Sequence, residues 1–333
     1  MDKEFLIRKK NRVYSLIIPL FNRPDEIKEL LQSVTEQSYK NFEVIVVEDG
    51  STRKAEEIVK NFADRLPLRY YFKDNSGPGL ARNYGCDRAE GDYFIFLDSD
   101  CLLPPHYLES VHNFLTTSYC DAFGGPDTAH PSFTPMQKAI NYAMTSFFTT
   151  GGIRGRKNHI GVFHPRSFNM GISRAVYEQT RGFADMRFGE DVELSIRISK
   201  CGFTIGLIEN AFVYHKRRTD LRKFFQQVHR SGIARINIYQ RHPEALKAVH
   251  FFPSLFTTCG VALSIVMFFH QTLFLFSLAF LGIYTAIIIG DASRQNRSLT
   301  IGLLSAVASY VQLIGYGSGF IRALWKSLVL RRG

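Results

Sequence analysis

Three features of the sequence predict an α/β domain with a mostly parallel central sheet, followed by C-terminal helices that enter a membrane. Short apolar segments rich in strand formers alternate with stretches of helical periodicity between Tyr14 and Asp100, the pattern of βαβ units. The run Tyr93-Phe94-Ile95-Phe96-Leu97 is apolar throughout, as a strand buried on both faces must be, and it ends in Asp98-Ser99-Asp100. Forty residues from Phe251 to Gly290 contain no Asp, Glu, Lys or Arg, enough for two crossings at about 20 residues each.

The elements follow in order. A first strand is predicted at Tyr14 to Ile18, ended by Pro19, which cannot donate to a ladder. From Pro24 to Gln37, Ile27, Leu30, Leu31 and Val34 recur at helical spacing, with Pro24 in a first-turn position. A second strand, Phe42 to Val47, runs into Glu48-Asp49-Gly50-Ser51. A helix near residues 55–63 and a short strand at Arg69 to Phe72 lead to Asn75-Ser76-Gly77-Pro78-Gly79, a loose loop from which Leu80 starts a helix. Arg82 sits in its first turns, where a guanidinium suits a phosphate; an ordinary helix start accounts for the same residues. Asp98 and Asp100, two residues apart on an extended chain, can point the same way from the carboxyl edge of the sheet. Such oxygen ligands suit Mg²⁺ or Mn²⁺ shared with a phosphate-bearing substrate. The plainer alternative is that they end a strand and cap the next helix before Pro104-Pro105.

Beyond Phe123-Gly124-Gly125-Pro126, residues from Pro135 to Thr150 read as an aromatic-rich helix, and Gly151 to Lys157 as a basic, glycine-rich loop. Glu190-Asp191 follow Gly189 and open a helix, where carboxylates are favoured by the helix dipole. Segments 205–208 and 211–215 close the globular part at His215, a histidine read as structural or as a minor candidate for metal or diphosphate. The expected organisation is therefore a globular domain at 1–215, basic amphipathic interfacial helices at 216–250 and a membrane domain at 251–333, with spans near 251–269, 272–290 and 299–321.

The net charge of +11 is concentrated: Lys216 to Lys247 holds nine Lys and Arg against Asp220 and Glu244. A nucleic-acid patch is one reading, but a basic segment placed directly before an apolar one reads as a contact with anionic headgroups on the cytoplasmic side. No nucleic-acid partner is expected. Two crossings keep Arg294 and Arg297 inside; a third would export Arg322, Lys326, Arg331 and Arg332, so the last run either is re-entrant or interfacial or breaks the positive-inside tendency. The five cysteines are scattered without a Cys-x-x-Cys pair, which supports neither a disulfide framework nor a zinc site. Met1 to Arg12 is charged, and the expected location is the inner face of the cytoplasmic membrane, multi-pass.

Four motifs stand in register: Ser15-Leu-Ile-Ile-Pro-Leu-Phe-Asn-Arg23, Val47-Glu-Asp-Gly-Ser51, Gly79-Leu-Ala-Arg-Asn83 with Gly85, and Phe96-Leu-Asp-Ser-Asp100. In this order the chain resembles the family 2 glycosyltransferases of the GT-A fold, over about residues 13–215. The resemblance implies a Rossmann-like sheet and an inverting transfer from a nucleotide-sugar donor, with a weak preference for UDP. It implies that the loop from Pro19 to Phe21 and Asp49 hold the base, that Asp98 approaches the ribose or metal, and that Asp100 ligates the metal, with Arg82 assisting at the phosphates. Glu48 stands where the family often has another aspartate. Asn169 with Arg174, followed by Glu190-Asp191-Val192-Glu193-Leu194, resembles the acceptor element, in which the aspartate, here Asp191, is the general base. Processive synthases of the family carry Gln-x-x-Arg-Trp; this chain has Gln227 and Arg230 but Ser231 next, and its one tryptophan is Trp325. That departure favours transfer of a single sugar, and the apolar tail favours a lipid-linked acceptor used in cell-surface glycan assembly. The alternatives from other classes are a non-catalytic sugar-nucleotide-binding scaffold, a processive synthase and a nucleotidyltransferase.

Overall fold

The strands predicted in the first hundred residues all form, and they join one sheet. The structure is a computed structural model describing residues 12–150 and 163–330; Met1 to Asn11 and the basic loop Gly151 to Lys157 lie outside the described residues. Contacts divide the described chain into two compact units. One comprises residues up to His130 and from 163 to Lys216, the other Pro131 to Thr150 and Arg217 onward.

In the first unit, β1 (Tyr14–Leu20), α1 (Pro24–Thr35), β2 (Phe42–Asp49), α2 (Glu56–Lys60), β3 (Leu68–Lys73), α3 (Pro78–Cys86) and β4 (Tyr93–Leu97) alternate as expected. They are followed by β5 (Cys101–Leu102), α4 (Tyr107–Thr117), β6 (Ala122–Gly124) and β7 (Asp127–Thr128). Helices α5 (Pro135–Thr145) and α6 (Phe147–Thr150) belong to the second unit, and the first is completed by β8 (Asn169–Ser173), α7 (Arg174–Thr180), α8 (Glu190–Lys200), β9 (Ile205–Leu207) and β10 (Val213–His215). The large sheet has the order β3-β2-β1-β4-β8-β6-β9. Among its described strands only β8 is reversed, pairing antiparallel with β4 and β6. A second, small sheet has the order β5-β10-β7.

Side-chain alternation divides the core between the faces of the large sheet. Leu16, Ile18, Val44, Val46, Ile95 and Leu97 pack on one side with Ile27, Leu30, Leu31 and Val34 of α1. Ile17, Ile45, Val47, Phe94 and Phe96 pack on the other with Ala81 of α3 and Leu194 and Ile198 of α8. Each such side chain contributes about 1.5–3 kcal/mol on burial, so the sheet is secured from both sides. One sequence expectation is corrected: β1 does not stop before Pro19 but runs to Leu20, with Pro19 opposite Val47 of β2. Pairing with β4 has already ended at Ile17 opposite Phe96, so the missing donor of Pro19 leaves no gap in that ladder.

The second unit is helical: α9 (Leu221–Arg241), α10 (Phe252–Val266), α11 (Gln271–Asn296) and α12 (Leu299–Leu330) join α5 and α6. The expected domain at 1–215 is continuous, whereas in the structure 131–150 packs with the helices. The apolar face of α5 (Ile140, Ala143, Met144) is buried with Phe224 and Val228 of α9 and Ala308 of α12. The expected span at 251–269 yields a helix of 15 residues, about 22 Å at 1.5 Å per residue and shorter than a bilayer core of about 30 Å. Helices at Gln271–Asn296 and Leu299–Val329 are long and apolar enough to cross.

Helices α9 and α12 touch backbone to backbone. A Cβ on Gly319 would lie 2.0 Å from the His229 carbonyl oxygen, and one on Gly315 would lie 2.5 Å from Val228. Glycines four apart give this close approach. Gly319→Leu is expected to lower the thermal unfolding midpoint of the purified protein, at a cost of about 1–3 kcal/mol for overpacking. Gly260→Leu on α10, where nothing lies within 4 Å of the added Cβ, should leave it nearly unchanged.

Candidate active site

The carboxyl ends of the central strands carry a set of ion pairs built around Arg82, the fifth residue of α3. Its guanidinium reaches Asp98 Oδ1 at 2.6 Å and Glu190 Oε1 at 3.2 Å, and it lies 5.2 Å above the ring of Phe183. Gly79 permits this: a Cβ there would stand 3.2 Å from Phe183 and 3.3 Å from Glu190. The side chain of Arg82 is 2% exposed. In this structure its charge faces two carboxylates, one after β4 and one at the start of α8. Glu190 is pushed up to about 7, first by burial and then by the negative charge of Asp191 beside it.

Asp98 and Asp100 do not share a direction, because β4 ends at Leu97 and the chain turns, the Cys101 amide donating to the Asp98 carbonyl at 3.0 Å. Alternation applies only to extended backbone. Asp98 faces Arg82, whereas Asp100 is buried and forms an ion pair with Arg23. His215 Nε2 lies 3.3 Å from Asp100 Oδ1, and His215 Nδ1 lies 3.7 Å from Asp127 Oδ2. The small sheet makes this contact: β10 pairs His215 with Cys101 and Tyr214 with Thr128, and the Lys216 amide donates to the Asp100 carbonyl at 3.0 Å. Burial would raise the Asp100 carboxyl, but His215 and Arg23 prevail and hold it well below the usual carboxylate range.

Asp100, Cys101 and His215 bring ligand atoms within 4.8 Å of one another. Burial pushes the Cys101 thiol up, and its sulfur lies 3.6 Å from the Phe168 carbonyl oxygen, so it stays a neutral, weak donor. What remains is a carboxylate oxygen and an imidazole nitrogen whose far side faces a second carboxylate, a donor set that fits a hard divalent cation of the Mn²⁺ type. Sequence reasoning missed Asp127, Arg23 and the pairing of Asp98 with Arg82. Asp127 follows Gly124-Gly125-Pro126, a turn that marks the position without revealing its partner.

Asp49, 3% exposed, accepts from the amides of Ser76 at 2.9 Å and Gly77 at 2.8 Å and from Lys73 Nζ at 2.9 Å. It shapes the loop before α3. Glu48 is buried and accepts from the Ala55 amide and the Tyr70 hydroxyl. Asn22, with φ +54°, takes the Thr52 and Arg53 amides on its Oδ1 at 2.9 Å each, which ties the loop after β1 to the loop after β2. Pro19 is half-buried on β1 and Phe21 is 50% exposed beyond it.

Asp191 receives the Val192 amide at 2.8 Å on Oδ1, and its Oδ2 lies 3.7 Å from Arg166. Asn169, expected at the acceptor site, joins β8 to neighbouring elements through its amide. It is fully buried, accepts from the Tyr107 hydroxyl at 2.7 Å and donates to the carbonyls of Ala211 at 2.8 Å and Pro126 at 3.2 Å. Gln227 and Arg230 lie on α9 of the second unit.

Residues 15–180, about half of the chain, match the sequence profile described as glycosyl transferase family 2. An uncharacterized glycosyltransferase of Haemophilus influenzae is 39% identical over 108 residues, 32% of this chain and 43% of that protein. The minor teichoic acid biosynthesis protein GgaB of Bacillus subtilis is 38% identical over 217 residues, 63% of this chain and 23% of that protein. The match thus spans less than half the length of these curated relatives. Among solved structures, a mannosyltransferase of Pyrobaculum calidifontis, PcManGT, in complex with GDP-Man and Mn²⁺, superposes with a TM-score of 0.68 at 17% identity. That alignment covers 95% of this chain and 87% of the other, and it shows a shared GT-A fold.

The position of Glu190 has a consequence for stability. Its folded value of about 7 exceeds the ordinary 4.5, so the folded state holds the proton more tightly and stability falls as pH rises across that interval. Thermal unfolding followed from pH 5 to 8 should show wild type losing stability relative to Glu190→Gln; parallel curves would contradict the assignment.

Proposed function

Residues 15–180 place this chain in glycosyl transferase family 2, and from that premise we propose that it moves one sugar from a nucleotide-sugar donor to a lipid-linked acceptor on the cytoplasmic face of a membrane, in cell-surface glycan assembly. The observation that carries the proposal is the continuous ionic link from Asp98 through Arg82 to Glu190-Asp191. It fixes the edge of the sheet where α/β folds take their ligands against the helix that bears the base. Asp191 takes the proton from the acceptor hydroxyl as it attacks the anomeric carbon, opposite the leaving diphosphate, which inverts that centre. Arg166, near Asp191, positions the carboxylate.

Asp100 and His215 would hold the divalent cation, Mn²⁺ or Mg²⁺, with the imidazole favouring Mn²⁺, and Asp127 would orient the ring. When bound, the cation supplies charge neutralisation on the diphosphate. Asp98 is half-buried at the mouth of the same turn and suits the ribose. Phe21, exposed at the end of β1, suits the nucleobase. A nucleotide-sugar donor is consistent with the GDP-Man and Mn²⁺ of the Pyrobaculum structure, and surface-glycan assembly with the teichoic acid role in the name of GgaB. Ser231 after Arg230 supports a single transfer over processive synthesis.

A panel of UDP- and GDP-sugars with Mn²⁺, offered together with extracted membrane lipids, tests this. Wild type should transfer one of them. Asp191→Asn should bind the same donor with transfer reduced about 10²–10⁴-fold, the usual contribution of a positioned base, whereas Asp100→Asn and His215→Ala should lose Mn²⁺ binding. Donor binding by wild type without turnover would point to a scaffold, and pyrophosphate release to a nucleotidyltransferase.

A further inference from the structure

We infer that α12, the last helix of the second unit, runs along the membrane surface and does not cross the bilayer. The inference rests on the membrane attachment contained in the proposed function, and not on the transfer chemistry.

Length and apolarity qualify α12 as a span, but its neighbours do not permit one. Helix α9 runs parallel to it in a constant register. Val228 meets Gly315, His229 Nδ1 lies 3.1 Å from Ser318 Oγ, and Gln240 donates to Ser327 at 3.1 Å. That register sets the exposed Arg222 and Lys223 level with about Ser309 and Tyr310, and the exposed Arg230 and Arg241 further along. Upstream, α5 packs on Ala306 and Ala308 with its apolar face and brings the half-buried Lys138 with it. No 20-residue stretch of α12 is thus free of a charged companion, and charge at bilayer depth costs several kcal/mol per residue.

The exposed surface of α12 has the opposite character. At 3.6 residues per turn, Leu299, Leu303, Val307, Ile314, Ile321 and Leu328, all exposed, fall within about a quarter turn. Tyr310, hydrogen-bonded to Thr285 of α11 at 2.6 Å, and Gly317, against Pro253 of α10, fall on that same side. Gly315 and Gly319, against α9, fall on the other. The unit is therefore layered, with the apolar helices α10 and α11 and the stripe on one side and the charged helix α9 on the other.

The occupant that fits the apolar side is lipid. Residues 251–290 include no Asp, Glu, Lys or Arg, and Phe268 and Phe269, between α10 and α11, are 77% and 75% exposed. Arg294, Arg297, Arg322 and Lys326, all exposed at the ends of α11 and α12, match anionic headgroups. The layering also removes the conflict with the positive-inside tendency, since nothing basic needs to be exported.

Single cysteines at Gln295→Cys, just before α12, and Lys326→Cys, near its end, both at exposed positions, test the inference in the full chain with the exposed Cys201 and Cys259 changed to Ser. In sealed spheroplasts an impermeant maleimide should reach neither until the membrane is permeabilised, after which both should label. Labelling of one and protection of the other in intact spheroplasts means that α12 crosses and overturns the inference. Labelling of both leaves the in-plane helix standing and refutes the cytoplasmic face instead. Trp325, the single tryptophan and 71% exposed, gives a second readout on the unmodified protein. Its fluorescence should be quenched more by phospholipids brominated near the headgroup than by those brominated at the chain end. Absence of quenching, or no association with phosphatidylglycerol vesicles, overturns it as well.

Discussion

A single buried cation organises the carboxyl edge of the large sheet. Arg82 has no route to water and meets two carboxylates from parts of the chain that are far apart in sequence, Asp98 and Glu190. Removing one partner from a buried pair costs about 3–5 kcal/mol, because the remaining charge is left without compensation. The geometry of α3, the turn after β4 and the start of α8 are thereby fixed together. Burial first, and then the negative charge of Asp191 beside it, explain why Glu190 holds its proton into the neutral range.

The second constraint is topological. Asp100 would be one more acidic residue in a turn were it not for the small sheet, which returns β10 antiparallel to β5 and sets His215 beside it. The same strand pairs with β7 on its other edge, which puts Asp127 behind the imidazole. Two backbone ladders of a few residues thus convert three separate positions into one donor set. Side chains positioned by sheet ladders, and not by loops, are held in a fixed geometry.

Most of the scaffold is legible in the sequence, because buried parallel strands and amphipathic helices leave strong periodic signals. The apolar runs at β1, β2 and β4 and the spacing of Ile27, Leu30, Leu31 and Val34 need no tertiary information. The site is legible only in part. Asp98, Asp100, Glu190 and Asp191 stand out by position, yet their partners do not, since the turn at Asp98–Cys101 breaks the alternation that extended backbone would impose. Asn169 has the identity expected of a polar site residue, but its amide is consumed by Tyr107, Pro126 and Ala211. A guanidinium near a helix start suits a phosphate, which is why the sequence points Arg82 at one; burial between two carboxylates is a property of the assembled fold. In the tail, hydropathy identifies apolar helices correctly, but a helix is defined as a crossing by its neighbours, and the charged helix packed on α12 is visible only in three dimensions.

Asp98 and Glu190 act on each other through Arg82, and a double-mutant cycle measures that coupling directly. Unfolding free energies of wild type, Asp98→Asn, Glu190→Gln and the double variant, determined at pH 8, above the Glu190 value of about 7, should be non-additive by about 1 kcal/mol or more, within the range found for residues sharing one ion-pair network. Strict additivity would mean that the two carboxylates are energetically independent, and would contradict the central claim.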